Sequence, residues 1–201
     1  MKLAGILLAA GQSRRMGKQN KLLVNISGKP IVRYVADSML SSGISELVVV
    51  LGYEAEKVAL ALSGVQIRTV INMTYKDGQA SSVVAGITAL NKDVTDVLIS
   101  LGDMPFVQPD TIRSLIESHF DTDDHQELVT IPNYRGVNGN PTIWGKSFFS
   151  DLAALRGDCG GRQALKLEPA SINLVSVNTR SILADIDTPT DYCHFNINWT
   201  S

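Results

Sequence analysis

Short, almost continuously apolar runs alternate along the chain with stretches whose apolar residues recur at helical spacing. Four of these runs predict buried strands, at residues 3–9, 46–52, 66–71 and 96–102. Strands that are apolar on both faces are typical of parallel sheets covered by helices on either side. Helical spacing marks the stretches between these strands, at residues 29–43, 54–64 and 81–90. This alternation predicts an α/β fold, with a Rossmann-like, doubly wound, mostly parallel sheet in a three-layer α/β/α arrangement.

The second half of the chain is less regular. Strands are predicted in ELVTIPNY, in GNPTIWG and in INLVSV, the first two joined by the loop RGVNG. Helices are predicted in TIRSLIESHF, which follows Pro109, in KSFFSDLAALRG and in GRQALKL. A last helix begins in DIDTPTDYCHF, where Thr188 and Asp191 form a capping-box pattern. No linker or repeat is visible, so residues 1–201 are predicted to form a single domain.

The composition narrows the class of protein. With 44% hydrophobic and 19% charged residues, the chain has the composition of an ordinary soluble protein. Its formal net charge of −2 argues against a broad surface for nucleic acid or anionic membrane, so neither partner is expected. The first apolar run is too short for a secretion signal or a membrane span. A cytoplasmic location is therefore expected.

Cysteine and histidine patterns indicate no special chemistry. The two cysteines, Cys159 and Cys193, lack the C-x-x-C spacing, which argues against a disulfide framework and a structural zinc site. The three histidines, His119, His125 and His194, are interpreted as scattered, with no catalytic triad and no metal-ligand spacing.

A basic loop, LAAGQSRRMGKQNK at residues 8–21, follows the first predicted strand. Gly11 permits a tight turn that exposes backbone N–H groups, and Arg14, Arg15, Lys18 and Lys21 supply positive charge. Ligands of doubly wound sheets bind at the carboxyl ends of the strands. The pattern therefore indicates a phosphate site, although the charges alone also fit a basic loop facing solvent.

Two common phosphate motifs do not match this loop. Five residues separate Gly11 from Gly17, where a Walker A loop has four, and Gln19 replaces the magnesium-binding Ser or Thr. Ser13 stands where a G-x-G-x-x-G motif requires its second glycine. A Walker-type phosphotransferase and a dinucleotide fingerprint are both disfavoured.

Three further loops carry polar residues next to predicted strands or helices. Gly78 precedes a helix whose first turn holds Ser81 and Ser82, and either serine is also a plausible plain helix N-cap. Asp103 leaves the carboxyl end of an apolar strand in LGDMP, where a turn-initiating role stays open. Asp187, in DIDTPTD, is not needed for capping and is free to project toward the same edge.

The motif LAAGQSRRMGKQNKLL closely resembles the signature of the MobA-like nucleotidyltransferases. That group includes molybdenum cofactor guanylyl- and cytidylyltransferases and, more distantly, sugar-1-phosphate and methylerythritol-phosphate nucleotidyltransferases. The segments GQASSVVAG, GDMP and DIDTP are similar to motifs of the cytidylyltransferase branch. The resemblance extends from residue 3 to about residue 194 and implies the fold of the nucleotide-diphospho-sugar transferases.

The resemblance also implies roles for individual residues. Lys21, Asp103 and Arg15 are implied as catalytic, and Asp103 and Asp187 as ligands of Mg²⁺. Asn140, Asp158 and Arg162 are implied to face the acceptor. The implied nucleotide-binding residues are Leu8, Ala9, Ala10, Gly11, Ser13, Arg14, Gly17, Lys21, Gly78, Gln79, Ser81, Ser82 and Gly102.

The activity implied by the resemblance is transfer of CMP from CTP to molybdopterin or molybdenum cofactor, with release of pyrophosphate. CTP is favoured because guanylyltransferases more often carry a second glycine where this chain has Ala10. A guanylyltransferase, a sugar-phosphate nucleotidyltransferase and a non-catalytic chaperone that delivers cofactor to a molybdoenzyme are the alternatives.

Overall fold

The computed structural model describes residues 2–17, 19–157, 168–188 and 190–193. Within these residues the strands are β1 (Leu3–Ala9), β2 (Asn25–Ile26), β3 (Lys29–Pro30), β4 (Glu46–Leu51), β5 (Arg68–Ile71), β6 (Asp96–Leu101), β7 (Val129–Tyr134), β8 (Val137–Asn138), β9 (Thr142–Gly145) and β10 (Ile172–Ser176). The α-helices are α1 (Ile31–Leu40), α2 (Ala55–Ala61), α3 (Gln79–Thr88), α4 (Pro109–Phe120) and α5 (Phe149–Ala153). None of these helices has the length and apolar composition that a bilayer span requires.

The main sheet has the strand order β10-β7-β9-β6-β1-β4-β5. β1 pairs in parallel with β4 and β6, β5 pairs in parallel with β4, and β10 pairs in parallel with β7. β9 runs antiparallel to both of its neighbours, and the short β8 forms a hairpin with β7. The predicted mostly parallel sheet is therefore confirmed.

Helices cover both faces of this sheet. Alternate side chains of β1 point to opposite sides, so that Leu7 packs in one apolar core and Ile6 in the other. The first core includes residues of α1, α2 and α4, and the second includes residues of α3 and α5. This three-layer α/β/α arrangement confirms the predicted fold class.

Several predicted element ends are wrong. The helix predicted from residue 29 begins only at Ile31, because β3 pairs with β2 and keeps Pro30 extended at ψ 143°. The loop RGVNG contains β8, and the helix predicted in KSFFSDLAALRG is reduced to α5 and a preceding 3₁₀ turn. The helix predicted in GRQALKL lies outside the described residues.

The capping box at the last helical turn is confirmed. The backbone N–H of Thr188 donates to the Asp191 carboxylate at 2.8 Å, and the backbone N–H of Asp191 donates to the Thr188 hydroxyl at 3.2 Å. Because Asp191 and Thr188 satisfy each other, Asp187 takes no part as the capping side chain. The side chain of Asp187 remains available for other contacts.

The interpretation of all three histidines as scattered is wrong for His119 and His125. His119 Nε2 and His125 Nδ1 lie 3.0 Å and 2.9 Å from the same Oδ1 atom of Asp96. Asp96 opens β6, His119 lies in the last turn of α4, and His125 lies just beyond that helix. Packing of α4 on the sheet therefore brings together residues that show no spacing motif. The group is interpreted as a hydrogen-bonded structural network.

Asp96 keeps its charge inside the protein. Burial opposes its ionisation, but hydrogen bonds from His119, Thr95 and His125 outweigh burial and lower the pKa of the Asp96 carboxyl. The His119 ring also contacts the Thr130 hydroxyl at 2.8 Å. A buried carboxylate with this many donors stabilises the fold only while its donors stay in place.

We expect Asp96→Asn to lower the free energy of unfolding at pH 7 by about 1–3 kcal/mol, because the charge-assisted hydrogen bonds are lost. The pKa of Asp96 is lower in the folded protein than in the unfolded chain. Its stabilisation is therefore present above about pH 4 and is lost as the pH falls through the folded-state pKa. Urea unfolding at several pH values measures this, with the exposed Asp123→Asn as the matched control. A wild-type unfolding midpoint for Asp96→Asn at pH 7 would contradict the role assigned to the network.

Candidate active site

A cleft of about 610 Å³ opens where β1 and β6 end. Its volume lies in the ordinary range for small-molecule sites. The loop after β1, the residues around the start of α3 and the segment 185–187 form its walls. Most of the site residues implied by the sequence line it, namely Leu8, Ala10, Gly11, Ser13, Arg14, Arg15, Lys21, Gly78, Gln79, Ser82, Gly102, Asp103 and Asp187.

Some implied residues do not line the cleft. Ala9 packs in the apolar core on the opposite side of β1, as alternation along a strand requires. Gly17, Ser81 and Asn140 lie outside the lining, and the Asn140 N–H donates to the carbonyl of Ile182 at 2.9 Å. Lys18, Asp158 and Arg162 lie outside the described residues.

Internal hydrogen bonds shape the basic loop after β1. The Ser13 hydroxyl accepts from the backbone N–H of Lys21 at 3.1 Å and donates to Asn20 Oδ1 at 3.2 Å. The backbone of Ser13 has φ 51°, a left-handed conformation that residues other than glycine seldom adopt. Met16 is buried against Ile186, in a small core that joins the loop to segment 185–187. Ser13 therefore acts within the protein by holding the backbone at Lys21.

The close approach of Gly102 to β1 explains how Asp103 reaches the cleft. A Cβ atom at Gly102 would lie 3.0 Å from the carbonyl oxygen of Leu8, a distance that real side chains seldom tolerate. The Gly102 N–H donates to that same carbonyl at 3.0 Å. The missing side chain lets the end of β6 approach β1 closely and places Asp103 beside the basic loop.

Lys21 is the cation at the centre of the site. Its ammonium group forms ion pairs with Asp103 and, at 2.5 Å, with Asp187. These three side chains are only 13–17% exposed, whereas Arg15, which contacts Asp187 at 2.7 Å, is 70% exposed. The Ile186 N–H donates to the Asp103 carbonyl at 2.9 Å, which ties the two acidic segments together.

The charges of this cluster stabilise one another. Burial alone would lower the pKa of Lys21, but the charges and hydrogen bonds of Asp103 and Asp187 reverse the effect and raise it. Burial likewise opposes ionisation of Asp187, while Lys21 and Arg15 hold the pKa of that carboxyl below its usual value. Partial desolvation, together with the neighbouring Asp187, raises the pKa of Asp185. Two cations and three carboxyl groups thus share one wall of the cleft.

The acidic residues fit a divalent cation. One oxygen of each of Asp103, Asp185 and Asp187 lies within 4.8 Å of the others. Asp103 Oδ1 is buried and has no hydrogen-bond partner among the described residues. Carboxylate oxygens are the hard ligands that Mg²⁺ and Mn²⁺ prefer, and an unpartnered buried oxygen is costly without such a ligand. The donor set therefore fits the metal that the sequence resemblance implies.

Sequence reasoning missed Asp185. The segment Asp185-Ile186-Asp187 lies outside the helices and strands, and Ile186 is buried while the two acids on either side of it line the cleft. Residues two apart in an extended segment face the same side, so the D-I-D pattern was a signal that both carboxyl groups share one surface. The lining also contains Gln12, Tyr75, Lys76 and Asp77, to which the sequence resemblance assigns no role.

The opposite wall of the cleft is the start of α3. Gly78 precedes the helix with φ 107°, which favours glycine, and it lines the cleft together with Gln79 and Ser82. The N-cap interpretation of Ser81 and Ser82 is wrong, because Gly78 occupies that position and both serines lie inside the first turn. The positive end of the helix macrodipole favours anionic groups of a ligand at this wall.

A cleft at the strand ends, lined by a basic loop in direct contact with an acidic cluster, is the arrangement of an α/β protein that binds a phosphorylated ligand together with a divalent cation. Comparison with known families gives the identity within that class. The family described as MobA-like NTP transferase domain matches residues 5–174. The chain belongs to this family of nucleotidyltransferases.

Individual relatives resemble the chain along nearly its full length. The nicotine blue oxidoreductase of Paenarthrobacter nicotinovorans is 29% identical over 194 residues, which cover 92% of both chains. A nucleotidyl transferase from Methanothermobacter thermautotrophicus is 26% identical, with a TM-score of 0.84 and coverage of 99% of this chain and 98% of that one. A Mycobacterium tuberculosis protein, solved as a complex with manganese, shares the fold at 22% identity and a TM-score of 0.82, covering 98% of this chain and 99% of that one.

The Lys21 environment predicts low chemical reactivity. A raised pKa lowers the fraction of Lys21 that is present as the neutral amine, and only the neutral amine is acetylated. We expect brief acetylation, followed by mass spectrometry of peptides, to modify Lys21 severalfold more slowly than the exposed Lys92. Asp187→Asn removes one of the acids and is expected to increase the rate at Lys21 while leaving Lys92 unchanged. Equal rates at the two lysines in the wild type would show that the ion pairs do not form.

Proposed function

We propose that the protein transfers a nucleotidyl group from a nucleoside triphosphate to a phosphorylated acceptor and releases pyrophosphate. CTP is the proposed donor, and molybdopterin or its molybdenum form is the proposed acceptor. The observation that carries the proposal is the buried Lys21 between Asp103 and Asp187, at the strand ends where ligands of this fold class bind. The family to which the chain belongs supports the same reaction class.

The reaction needs positioning and charge neutralisation more than a base. A phosphate oxygen of the acceptor attacks the α-phosphorus of the triphosphate, and the bond from that phosphorus to the bridging oxygen of pyrophosphate breaks. A phosphomonoester nucleophile is already ionised near pH 7, so no side chain has to remove its proton. The cluster around Lys21 supplies charge where negative charge accumulates.

Each charged residue has a separate proposed task. Lys21 contacts the α-phosphate, and Arg15 binds the leaving pyrophosphate from the open side of the cleft. Asp103 and Asp187, with Asp185 beside them, would hold the divalent cation. When bound, such a cation neutralises phosphate charge and orients the triphosphate.

Support for the particular substrates comes from the sequence resemblance. Ala10, which lines the cleft in the LAAG turn, favours CTP over GTP. The segments GQASSV and DIDTP are similar to those of the molybdopterin cytidylyltransferase branch. Asn140, Asp158 and Arg162 remain proposed acceptor contacts on the same basis.

A second candidate function follows from one relative. The chain is 29% identical to a protein named as an oxidoreductase, over 92% of both chains. A reductase of this kind would place a reducing nucleotide in the same cleft and would transfer hydride rather than a nucleotidyl group. Assays of dye reduction with NADH or NADPH and nicotine blue, the compound in the name of that relative, separate this reaction from pyrophosphate release.

We expect Lys21→Ala and Asp103→Ala each to reduce turnover by at least about a hundredfold, the scale of removing one electrostatic stabiliser. Pyrophosphate release with CTP, Mg²⁺ and molybdopterin measures the effect. Lys92→Ala, which changes an exposed lysine outside the cleft, is the matched control and keeps wild-type turnover. Near-normal turnover of either site variant would remove its residue from the mechanism.

Incubation with each of the four nucleoside triphosphates and a panel of acceptors tests the substrates. We expect pyrophosphate to be released fastest with CTP and a molybdopterin acceptor. Faster release with GTP, or with a sugar phosphate, would contradict the proposed donor or acceptor. The proposed reaction, nucleotidyl transfer, would still hold. Nucleotide binding without pyrophosphate would indicate a chaperone, and dye reduction without pyrophosphate would favour the reductase.

A further inference from the structure

A buried asparagine lies beneath the start of α3. Asn72 directly follows β5, is 4% exposed, and its N–H donates to the carbonyl of Leu51 at 2.8 Å. Its side-chain amide contacts Thr74, Ser81 and Ser82. Ser82 is the member of this group that lines the cleft.

The orientation of the Asn72 amide is determined by its partners. Its Oδ1 atom lies 2.9 Å from the backbone nitrogen of Thr74, and a backbone N–H can only donate. The atom facing Thr74 is therefore the amide oxygen, and the Nδ2 group faces the two serines. Nδ2 donates to Ser81 Oγ at 2.8 Å and to Ser82 Oγ at 3.0 Å.

Both serine oxygens thus accept a hydrogen bond from Asn72, and each hydroxyl hydrogen must go elsewhere. Ser81 has backbone carbonyls of Thr74 and Gly78 at 3.0 Å and 2.8 Å as acceptors. Among the described residues, Ser82 has no acceptor for its own hydrogen. The amide of Asn72 therefore leaves the Ser82 hydroxyl available as a donor, and Ser82 lines the cleft.

We propose that Asn72 is a positioning residue that fixes Ser82 as a hydrogen-bond donor to an acceptor oxygen of the bound nucleoside. This inference rests on the proposed function, since it requires a nucleotide in the cleft. Three oxygens have the required chemistry, the carbonyl of the base and the 2′- and 3′-oxygens of the ribose. Asn72 determines that Ser82 donates, rather than accepts, the hydrogen bond to the ligand. Asn72 itself does not line the cleft.

Asn72→Asp reverses this polarity with almost no change in shape. A carboxylate still accepts from Thr74, but on its other side it accepts the hydroxyl hydrogens of the serines and leaves Ser82 without a donor for the ligand. We expect the KM for CTP to rise about three- to tenfold, the effect of one neutral hydrogen bond, with kcat nearly unchanged. Asn138→Asp adds the same charge at an exposed site of β8 and controls for electrostatics.

A double-mutant cycle distinguishes positioning from a general structural effect. Ser82→Ala alone is expected to raise the KM for CTP by a similar factor, and Asn72→Asp is expected to add nothing in the Ser82→Ala background. A merely structural role of Asn72 would give effects that multiply. Urea unfolding shows whether each variant is folded.

The Ser82→Ala variant keeps the inference testable if Asn72→Asp does not fold. The rise in the KM of this variant is measured with CTP, with 2′-deoxy-CTP and with 3′-deoxy-CTP. A penalty that persists with both deoxy analogues identifies the base carbonyl as the partner, and one that disappears with either analogue identifies the ribose; either result supports the donor role. An unchanged KM of Ser82→Ala for CTP would overturn the inference. The proposed function would still stand in that case, provided that the wild-type protein turns over CTP. Absence of CTP binding by the wild type would overturn both.

Discussion

The ion pairs of Lys21 with Asp103 and Asp187 are the interaction on which the site depends. Three acidic residues beside one another would repel and resist burial without a cation between them. Lys21 is that cation in the structure. Its position between Asp103 and Asp187 shows where a ligand's positive charge would be stabilised. A triphosphate bound with a divalent cation supplies both charges that this cluster needs. Its phosphates can pair with Lys21 in place of the two carboxylates, and its cation can bind those carboxylates in place of Lys21.

The fold brings these residues together from distant parts of the sequence. Asp103 lies 82 residues after Lys21, and Asp187 lies 166 residues after it. Parallel pairing of β1 with β6 places the first two at one sheet edge, and the small core between Met16 and Ile186 places the third. The polar site is therefore only as well ordered as the apolar contacts beneath it.

Much of this arrangement could be predicted from the sequence. Apolar runs revealed the strands of the sheet, and strand ends located Lys21 and Asp103, because both signals are local. Features that depend on packing were missed. Asp185 required knowledge that Ile186 is buried while both neighbouring acids line the cleft, and the contact of His119 with Asp96 required the position of α4 on the sheet. Asn72 belongs to no recognisable motif, because its role depends on the hydrogen bonds of its side-chain amide in the folded protein.

The most direct test of the account is a crystal structure of the protein with Mg²⁺ and a non-hydrolysable CTP analogue. We predict Lys21 Nζ within hydrogen-bond distance of the α-phosphate, and the metal on the carboxylates of Asp103 and Asp187. Ser82 lies against the nucleoside in that structure. A triphosphate bound elsewhere, with Lys21 still enclosed by the two carboxylates, would contradict the central claim.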